Sequence, residues 1–188
     1  MIPLLKHAAI FSALIICGCA ATAAMSQDSA AAPAGQDAGE AGPYHFDCDA
    51  PLGEMRAMSV HVPQGAFRVT GFFQILDIDR KGEYPPQVNI VLVESNKTER
   101  IALVSIVHDA LIGLSLSKSR YVTYFARIAR SAGRIPFTLT FDSQGKVNAS
   151  VEDVPSPTVH ASSAIAQLTL GCSSTHANLT KVSVVPLK

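Results

Sequence analysis

Three acidic residues stand close together in the chain, where they could supply a pair of catalytic carboxylates: Asp77, Asp79 and Glu83. Glycoside hydrolysis uses two carboxyl groups that flank the scissile bond, one as acid and one as base or nucleophile. Gly82 and the pair Pro85-Pro86 predict that this segment runs into a turn. The sequence offers no other catalytic motif, so it favours a non-enzymatic protein, with these three residues as the candidates if the protein is an enzyme.

A second set of polar residues alternates near the start of the predicted domain. His45, Asp47 and Asp49 occupy every second position, so they would share one face of a strand. One imidazole and two carboxylates on a common face could hold a cation, and calcium is the candidate because it takes oxygen ligands. The alternative is a solvated polar face, which the lack of a known calcium or zinc motif favours.

The segment 118–134 has the strongest local charge in the chain, with five basic residues and no acidic one. Its basic and tyrosine residues are the candidate binding residues: Lys118, Arg120, Tyr121, Tyr124, Arg127, Arg130 and Arg134. Such a surface could contact an anionic envelope polymer, a glycan or lipid headgroups. The alternative is an exposed edge whose arginines oppose aggregation between strands.

The overall charge gives no general electrostatic reason to bind nucleic acid. The chain has 188 residues, and its 15 basic and 15 acidic residues leave a formal net charge of zero. It has no Trp and only 6% aromatic residues, which disfavours a carbohydrate module built on many aromatic rings. We therefore expect recognition at one local site, by an envelope glycan or by a protein partner.

Residues 1–24 have the order of regions expected of a signal peptide. A basic start at Lys6 precedes an apolar run and a stretch of small residues, and the run is shorter than the ~20 residues of a transmembrane helix. Ile16-Cys-Gly-Cys19 resembles a bacterial lipobox, in which Cys19 would carry a lipid and hold the protein in the periplasm or outer membrane. The alternative is cleavage near Ala23, which would release a secreted, soluble product.

The remaining chain divides into a linker and one domain. Residues 25–43 are rich in Ala, Gly and Pro, a composition that predicts a disordered tether. Residues 44–188 are enough for a single domain. Cys48 and Cys172 are the two cysteines left outside the signal region, and in an exported protein they predict a disulfide that joins the first and last strands.

Alternating apolar and polar residues predict an all-β domain. Phe67, Val69, Phe73 and Ile75 would share one buried face, and Gly71 among them suggests a bulge. Residues 136–141 and 146–151 predict a hairpin, and 165–170 and 182–187 predict closing strands. Residues 120–132 fit either a helix or a strand. We expect a two-sheet antiparallel sandwich, a jelly roll with at most one short helix.

Part of this pattern is similar to a known class of domains. Phe137-x-Leu-x-Phe-Asp-x-x-Gly145-x-Val, followed by Leu168-x-Leu-Gly171 and Val182-x-Val, resembles the C-terminal half of concanavalin A-like or laminin G-like domains. The resemblance implies a jelly roll, but the E-x-D-x-x-E-like pattern of its sandwich hydrolases is missing. We therefore expect a binding or structural accessory module of the bacterial envelope. The alternatives are a polysaccharide hydrolase or lyase and a subunit of an envelope assembly.

Overall fold

The computed structural model describes residues 41–78 and 84–188, and all regular elements within these ranges are β-strands. The strands are β1 (Ala41–His61), β2 (Phe67–Ile78), β3 (Gln87–Glu94), β4 (Arg100–Val107), β5 (Leu111–Lys118), β6 (Tyr121–Ala129), β7 (Ile135–Phe141), β8 (Lys146–Val151), β9 (Val154–Pro155), β10 (Val159–His160) and β11 (Ile165–Pro186). The predicted signal peptide, the lipid on Cys19, residues 25–40 of the tether, Asp79 and Glu83 lie outside the described residues. No helix in the described ranges is long and apolar enough to cross a membrane.

Strands β1 and β11 organise the fold, because each is more than 20 residues long and belongs to both layers of the sandwich. Residues 41–50 of β1 pair with 175–184 of β11, and β2, β7 and β8 continue this first sheet. Residues 55–61 of β1 pair with 167–173 of β11, and β3, β4, β5 and β6 continue the second sheet. All these pairs are antiparallel, so the predicted two-sheet antiparallel jelly roll is confirmed.

Both long strands turn from one sheet to the other at the same place. Gly53 and Ser174 have positive φ angles of 76° and 46°, and the Gly53 N–H donates a hydrogen bond of 3.2 Å to the Ser174 hydroxyl. The predicted disulfide lies at this corner, with Cys48 on the side of the first sheet and Cys172 on the side of the second. Its two Cα atoms are 6.1 Å apart, and both cysteines are fully buried.

The hydrophobic core follows the alternation predicted from the sequence. In β2, Phe67, Val69, Phe73 and Ile75 are all buried, as expected of one inward face. The predicted hairpin is formed by β7 and β8, and the Asp142 carboxylate accepts hydrogen bonds from two backbone N–H groups of its turn. Buried side chains from both sheets form one hydrophobic core. Each sheet therefore covers the apolar face of the other, and the described ranges contain no helix.

Three details differ from or complete the sequence-based expectation. Residues 120–132 contain β6 and no helix, because this segment pairs along the whole of β5. The two predicted closing strands are one continuous strand, since the polar residues Ser173, Ser174 and Thr175 between them are buried at the corner. Strand β1 begins at Ala41, three residues before the predicted start of the domain, where it pairs with the end of β11.

The bulge suggested by Gly71 exists, but the extra residue belongs to the neighbouring strand. Thr180 pairs with Phe72 and Ser183 pairs with Thr70, so two residues of β11 face Gly71. A Cβ atom on Gly71 would lie 2.9 Å from the Phe137 ring and 3.0 Å from a Val182 methyl group. The sequence position therefore needs glycine for close packing.

We expect Gly71→Ala to lower the free energy of unfolding by about 1 to 3 kcal/mol, the usual result of overpacking a dense core. Urea denaturation of the wild type and the variant measures the difference. Gly133→Ala is the control, because the nearest atom to its added Cβ would be a hydroxyl at 3.5 Å. Equal denaturation midpoints for Gly71→Ala and the wild type would contradict the packing argument.

Candidate functional site

A cavity of about 630 Å³ opens on the outer face of the second sheet, beside β6. Its size lies within the range of ligand-binding pockets. One wall and the floor of the cavity come from β4, β5 and the turn between them. The other wall comes from β6. The lining residues are Ile106, His108, Gly113, Tyr124, Phe125, Ala126 and Arg127.

A β-bulge in β6 brings Tyr124 and Arg127 to the same face of the sheet. Ser115 pairs with Tyr124 and Leu114 pairs with Ala126, so Phe125 is the extra residue. Arg127 then pairs with Gly113, which is two residues from Ser115 and on the same face. Without the bulge, Tyr124 and Arg127 would point to opposite faces, since they are three residues apart.

The floor of the cavity is open because Gly113 has no side chain. A Cβ atom added there would have its nearest neighbours 3.9 Å away, the Nε2 atom of His108 and the carbonyl oxygen of Ile106. A methyl group would fit at this position at an ordinary contact distance. A larger side chain would occupy the volume above the floor.

Two of the seven predicted binding residues line this cavity, Tyr124 and Arg127. Tyr124 is 67% exposed, and within the described ranges Arg127 forms no salt bridge. Arg120, Tyr121, Arg130 and Arg134 are not among the lining residues. The other five lining residues were not among the candidates: Ile106, His108, Gly113, Phe125 and Ala126. Four of them look like ordinary strand residues until the bulge and the pairing are known, and His108 looks like part of a turn.

Lys118 belongs to a separate polar cluster at the end of the second sheet. Its Nζ atom donates hydrogen bonds of 2.6 Å to the His160 carbonyl and the Ser162 hydroxyl, and it lies 3.2 Å from the Glu99 carboxylate. It is 4.0 Å from the fully buried carboxylate of Glu94. The polar contacts of Lys118 are therefore made with other residues of the protein, and Lys118 does not line the cavity.

The two carboxylates of this cluster hold the segment before β11 in place. Glu94 Oε2 accepts hydrogen bonds of 2.9 Å from the backbone N–H groups of Ser162 and Ser163. A hydrogen bond from the Ser162 hydroxyl to Glu99, together with Lys118, holds the pKa of Glu99 below its usual value. The cluster thus joins the β3–β4 turn and β5 to the chain that enters β11.

The candidate metal ligands lie on the other sheet. His45, Asp47 and Asp49 are all exposed along β1, and Asp47 Oδ1 lies 2.8 Å from Nε2 of His176 on β11. Asp77, the described member of the catalytic candidates, pairs with His176 from the β2 side. In the part of the chain that the structure describes, no three His, Cys, Asp or Glu residues form a group that could hold a metal ion. The calcium site stays a prediction.

No family model matches the chain, and no curated protein sequence matches it. Among solved structures, it is similar to the carbohydrate-binding module CBM66 from Bacillus subtilis, with 10% identity and a TM-score of 0.44 over 68% of this chain and 76% of that one. It is similar to the GH43 protein BlXynB from Bacillus licheniformis, with 8% identity and a TM-score of 0.45 over 65% of this chain. The Bacillus licheniformis beta-glucanase gives 4% identity and a TM-score of 0.45 over 69% of this chain and 68% of that one.

These similarities concern the fold and transfer neither a ligand nor a reaction. The chain spans 28% of the length of BlXynB, so most of that protein has no counterpart in this one. The antiparallel two-sheet architecture that the resemblance to concanavalin A-like jelly rolls implied is present in the strand pairing itself.

Proposed function

We propose that the protein is an exported binding module that holds an anionic polysaccharide in the cavity beside β6. The observation that carries the proposal is the placement of Tyr124 and Arg127 on one face, above the glycine floor of a cavity of about 630 Å³. Export is supported by the Cys48–Cys172 disulfide, since such bonds are typical of oxidising compartments.

The lining chemistry suits a negatively charged sugar. The guanidinium group of Arg127 can form two parallel hydrogen bonds with one carboxylate, which fixes both the charge and the orientation of the ligand. The Tyr124 ring offers a flat apolar surface with a hydroxyl at its end, suited to the face and edge of a sugar ring. His108 adds a nitrogen that can donate or accept a hydrogen bond. A uronic-acid polysaccharide carries the carboxylate and hydroxyl groups that this set would recognise.

Hydrolysis receives no support from the lining residues. A glycoside hydrolase of the common type needs two carboxyl groups across the scissile bond, and among the described residues that line the cavity none carries one. Asp77 lies in the first sheet, paired with His176, whereas the cavity belongs to the second sheet.

A lyase is the second candidate, because His108 and Tyr124 lie in the same cavity as Arg127. Elimination from a uronic acid removes the proton next to the carboxylate, and an arginine that neutralises the carboxylate makes this proton more acidic. Histidine and tyrosine are groups that can take and give protons in such a step. Incubation of the protein with polygalacturonate, followed by ultraviolet absorbance of the unsaturated product, tests this candidate. A constant absorbance excludes elimination of this substrate and leaves the binding proposal in place.

We expect Arg127→Ala to weaken the binding of galacturonate oligosaccharides at least tenfold, about 1.4 kcal/mol, because it removes the cationic anchor. Isothermal titration calorimetry with the purified protein measures the dissociation constants. Arg120→Ala is the matched control, since it removes the same charge from the β5–β6 turn, outside the cavity. An equal loss in both variants would indicate general electrostatic attraction, and a wild type that binds no oligosaccharide would overturn the proposal.

A further inference from the structure

Strand β6 is an edge strand whose first half is exposed and uncharged. In the described ranges its only neighbouring strand is β5, so its other side carries backbone N–H and C=O groups that no strand pairs. Tyr121, Val122 and Tyr124 are 84%, 52% and 67% exposed. Residues 121–126 include no charged residue and are rich in aromatic and β-branched side chains, which favour strands. This edge therefore has the features of a site for an added strand.

The other strand edges in the described ranges are protected against such pairing. Strand β1 also has a single neighbour, but it contains Pro43 and Pro51, and its register with β11 shifts at three places. Strands β9 and β10 are only two residues long. In β6 the bulge at Phe125 and the charge of Arg127 protect the second half alone. Residues 121–124 are therefore the open part of the edge.

The β5–β6 hairpin shows which backbone groups of this edge point outward. Lys118 pairs with Tyr121 across a two-residue turn, so this closing pair is hydrogen-bonded. Hydrogen-bonded and non-hydrogen-bonded pairs alternate along an antiparallel ladder, so the next pair, Ser117 with Val122, is not hydrogen-bonded. Val122 and, two residues later, Tyr124 therefore direct their N–H and C=O groups away from β5.

The charges around this edge decide which strand fits it. Arg120 and Arg127 flank the uncharged residues, and the segment 118–134 has five basic residues and no acidic one. Within the described ranges neither arginine forms a salt bridge. A second copy paired through its own β6 would bring basic residues against basic residues, and like charges across a strand pair are destabilising. An extended segment with acidic residues on both sides of an apolar run is complementary to the edge.

We propose that β6 binds an extended acidic segment of another protein, which adds a strand to the edge of the second sheet. The backbone of this segment exchanges hydrogen bonds with Val122 and Tyr124, and its apolar side chains cover the exposed ones of β6. Its acidic residues lie beside Arg120 and Arg127 at the two ends. The inference does not rest on the polysaccharide, because it uses the backbone of the edge and Arg120, which is outside the cavity.

The first test titrates the purified protein with the peptide Asp-Glu-Val-Thr-Val-Thr-Val-Glu-Asp in a calorimeter. Replacing its central Thr-Val-Thr by three prolines keeps the charge and removes the backbone donors. Replacing its acidic residues by lysine reverses the charge. We expect the original peptide to bind at least about tenfold more tightly than either altered peptide. Equal binding of the proline peptide would indicate general charge attraction, equal binding of the lysine peptide would exclude an acidic partner, and either result overturns the proposal.

The second test uses variants of the edge itself. Val122→Pro removes an outward N–H group and leaves the hydrogen bonds to β5 in place, whereas the control Val122→Thr keeps this group and the β-branched shape. We expect the acidic peptide to bind about tenfold more weakly to Val122→Pro, about threefold more weakly to Arg120→Ala and unchanged to Val122→Thr. Circular dichroism and thermal unfolding establish that each variant is folded, and the peptide comparison on the wild type decides if Val122→Pro is not. Equal affinity of Val122→Pro and the wild type would overturn the proposal.

Gly113→Leu separates this inference from the proposed function, because it fills the cavity floor and leaves the edge of β6 open. We expect it to bind the acidic peptide like the wild type and galacturonate oligosaccharides more weakly. Loss of peptide binding in Gly113→Leu but not in Val122→Pro would place the peptide in the cavity and overturn the inference. A wild-type dimer that Val122→Pro dissociates would assign the edge to a second copy and also overturn it. A wild type that binds the peptide but no oligosaccharide would overturn the proposed function and leave the inference in place.

Discussion

Replacing Cys48 and Cys172 together by alanine should lower the free energy of unfolding by about 4 to 5 kcal/mol. The two cysteines are 124 residues apart, so the bond closes a very long loop in the unfolded chain. In the chain-entropy model the stabilisation grows with the length of that loop. Alanine at both positions avoids leaving a lone buried thiol. Urea denaturation of the oxidised wild type and the double variant gives the difference in free energy.

The reduced wild type is the control for this prediction. It keeps every side chain and loses only the covalent bond, so its denaturation midpoint should fall close to that of the double variant. A midpoint of the double variant equal to that of the oxidised wild type would contradict the prediction, because the corner would then be held by strand pairing alone. We expect the loss of the disulfide to destabilise the corner in particular, because the two sulfur atoms join the two sheets there.

Glu94→Ala should lower the free energy of unfolding by about 3 kcal/mol or more, as expected when one member of a buried polar cluster is removed. Glu94 is fully buried, and its Oε2 atom accepts two backbone hydrogen bonds, from Ser162 and Ser163. The substitution leaves both N–H groups without an acceptor and takes a negative charge away from Lys118. Thermal and urea denaturation of the variant measure the loss.

Glu94→Gln and Glu99→Ala are the matched comparisons for this cluster. The amide of Glu94→Gln keeps one oxygen to accept hydrogen bonds, so we expect a smaller loss than with alanine. Glu99 is partly exposed at the side-chain level, and solvent can replace its contacts with Lys118 and Ser162, so Glu99→Ala should cost least. The opposite order, with Glu99→Ala the most destabilising, would show that the buried carboxylate is not the centre of the cluster.

Local patterns predicted most of the fold because they depend on neighbouring residues. The alternation in β2, from Phe67 to Ile75, is a property of a half-buried strand, and the β7–β8 hairpin follows from its turn residues. The disulfide followed from the cysteine count and the predicted export. The continuity of β11 was missed, since Ser173, Ser174 and Thr175 look like a loop and their burial depends on the corner with β1.

The candidate site was predicted only in part, because it depends on pairing over long distances. Tyr124 and Arg127 share a face only through the bulge at Phe125, and no residue type at that position marks an extra residue in the strand. Lys118 was grouped with them by its charge alone. Its hydrogen-bond partner at His160 lies 42 residues later in the sequence, which no local pattern reveals.

The antiparallel pairing of β1 with β11 decides how the domain responds to a mechanical load. The start of β1 at Ala41 lies beside Val184 near the end of β11, so a pull through residues 1–40 would reach that end of the ladder first and break its hydrogen bonds in sequence. Peeling would proceed only as far as Cys48, where the covalent bond to Cys172 takes up the force. A load on the N-terminal segment could therefore detach residues 41–47, and beyond them it would be shared by both sheets of the sandwich.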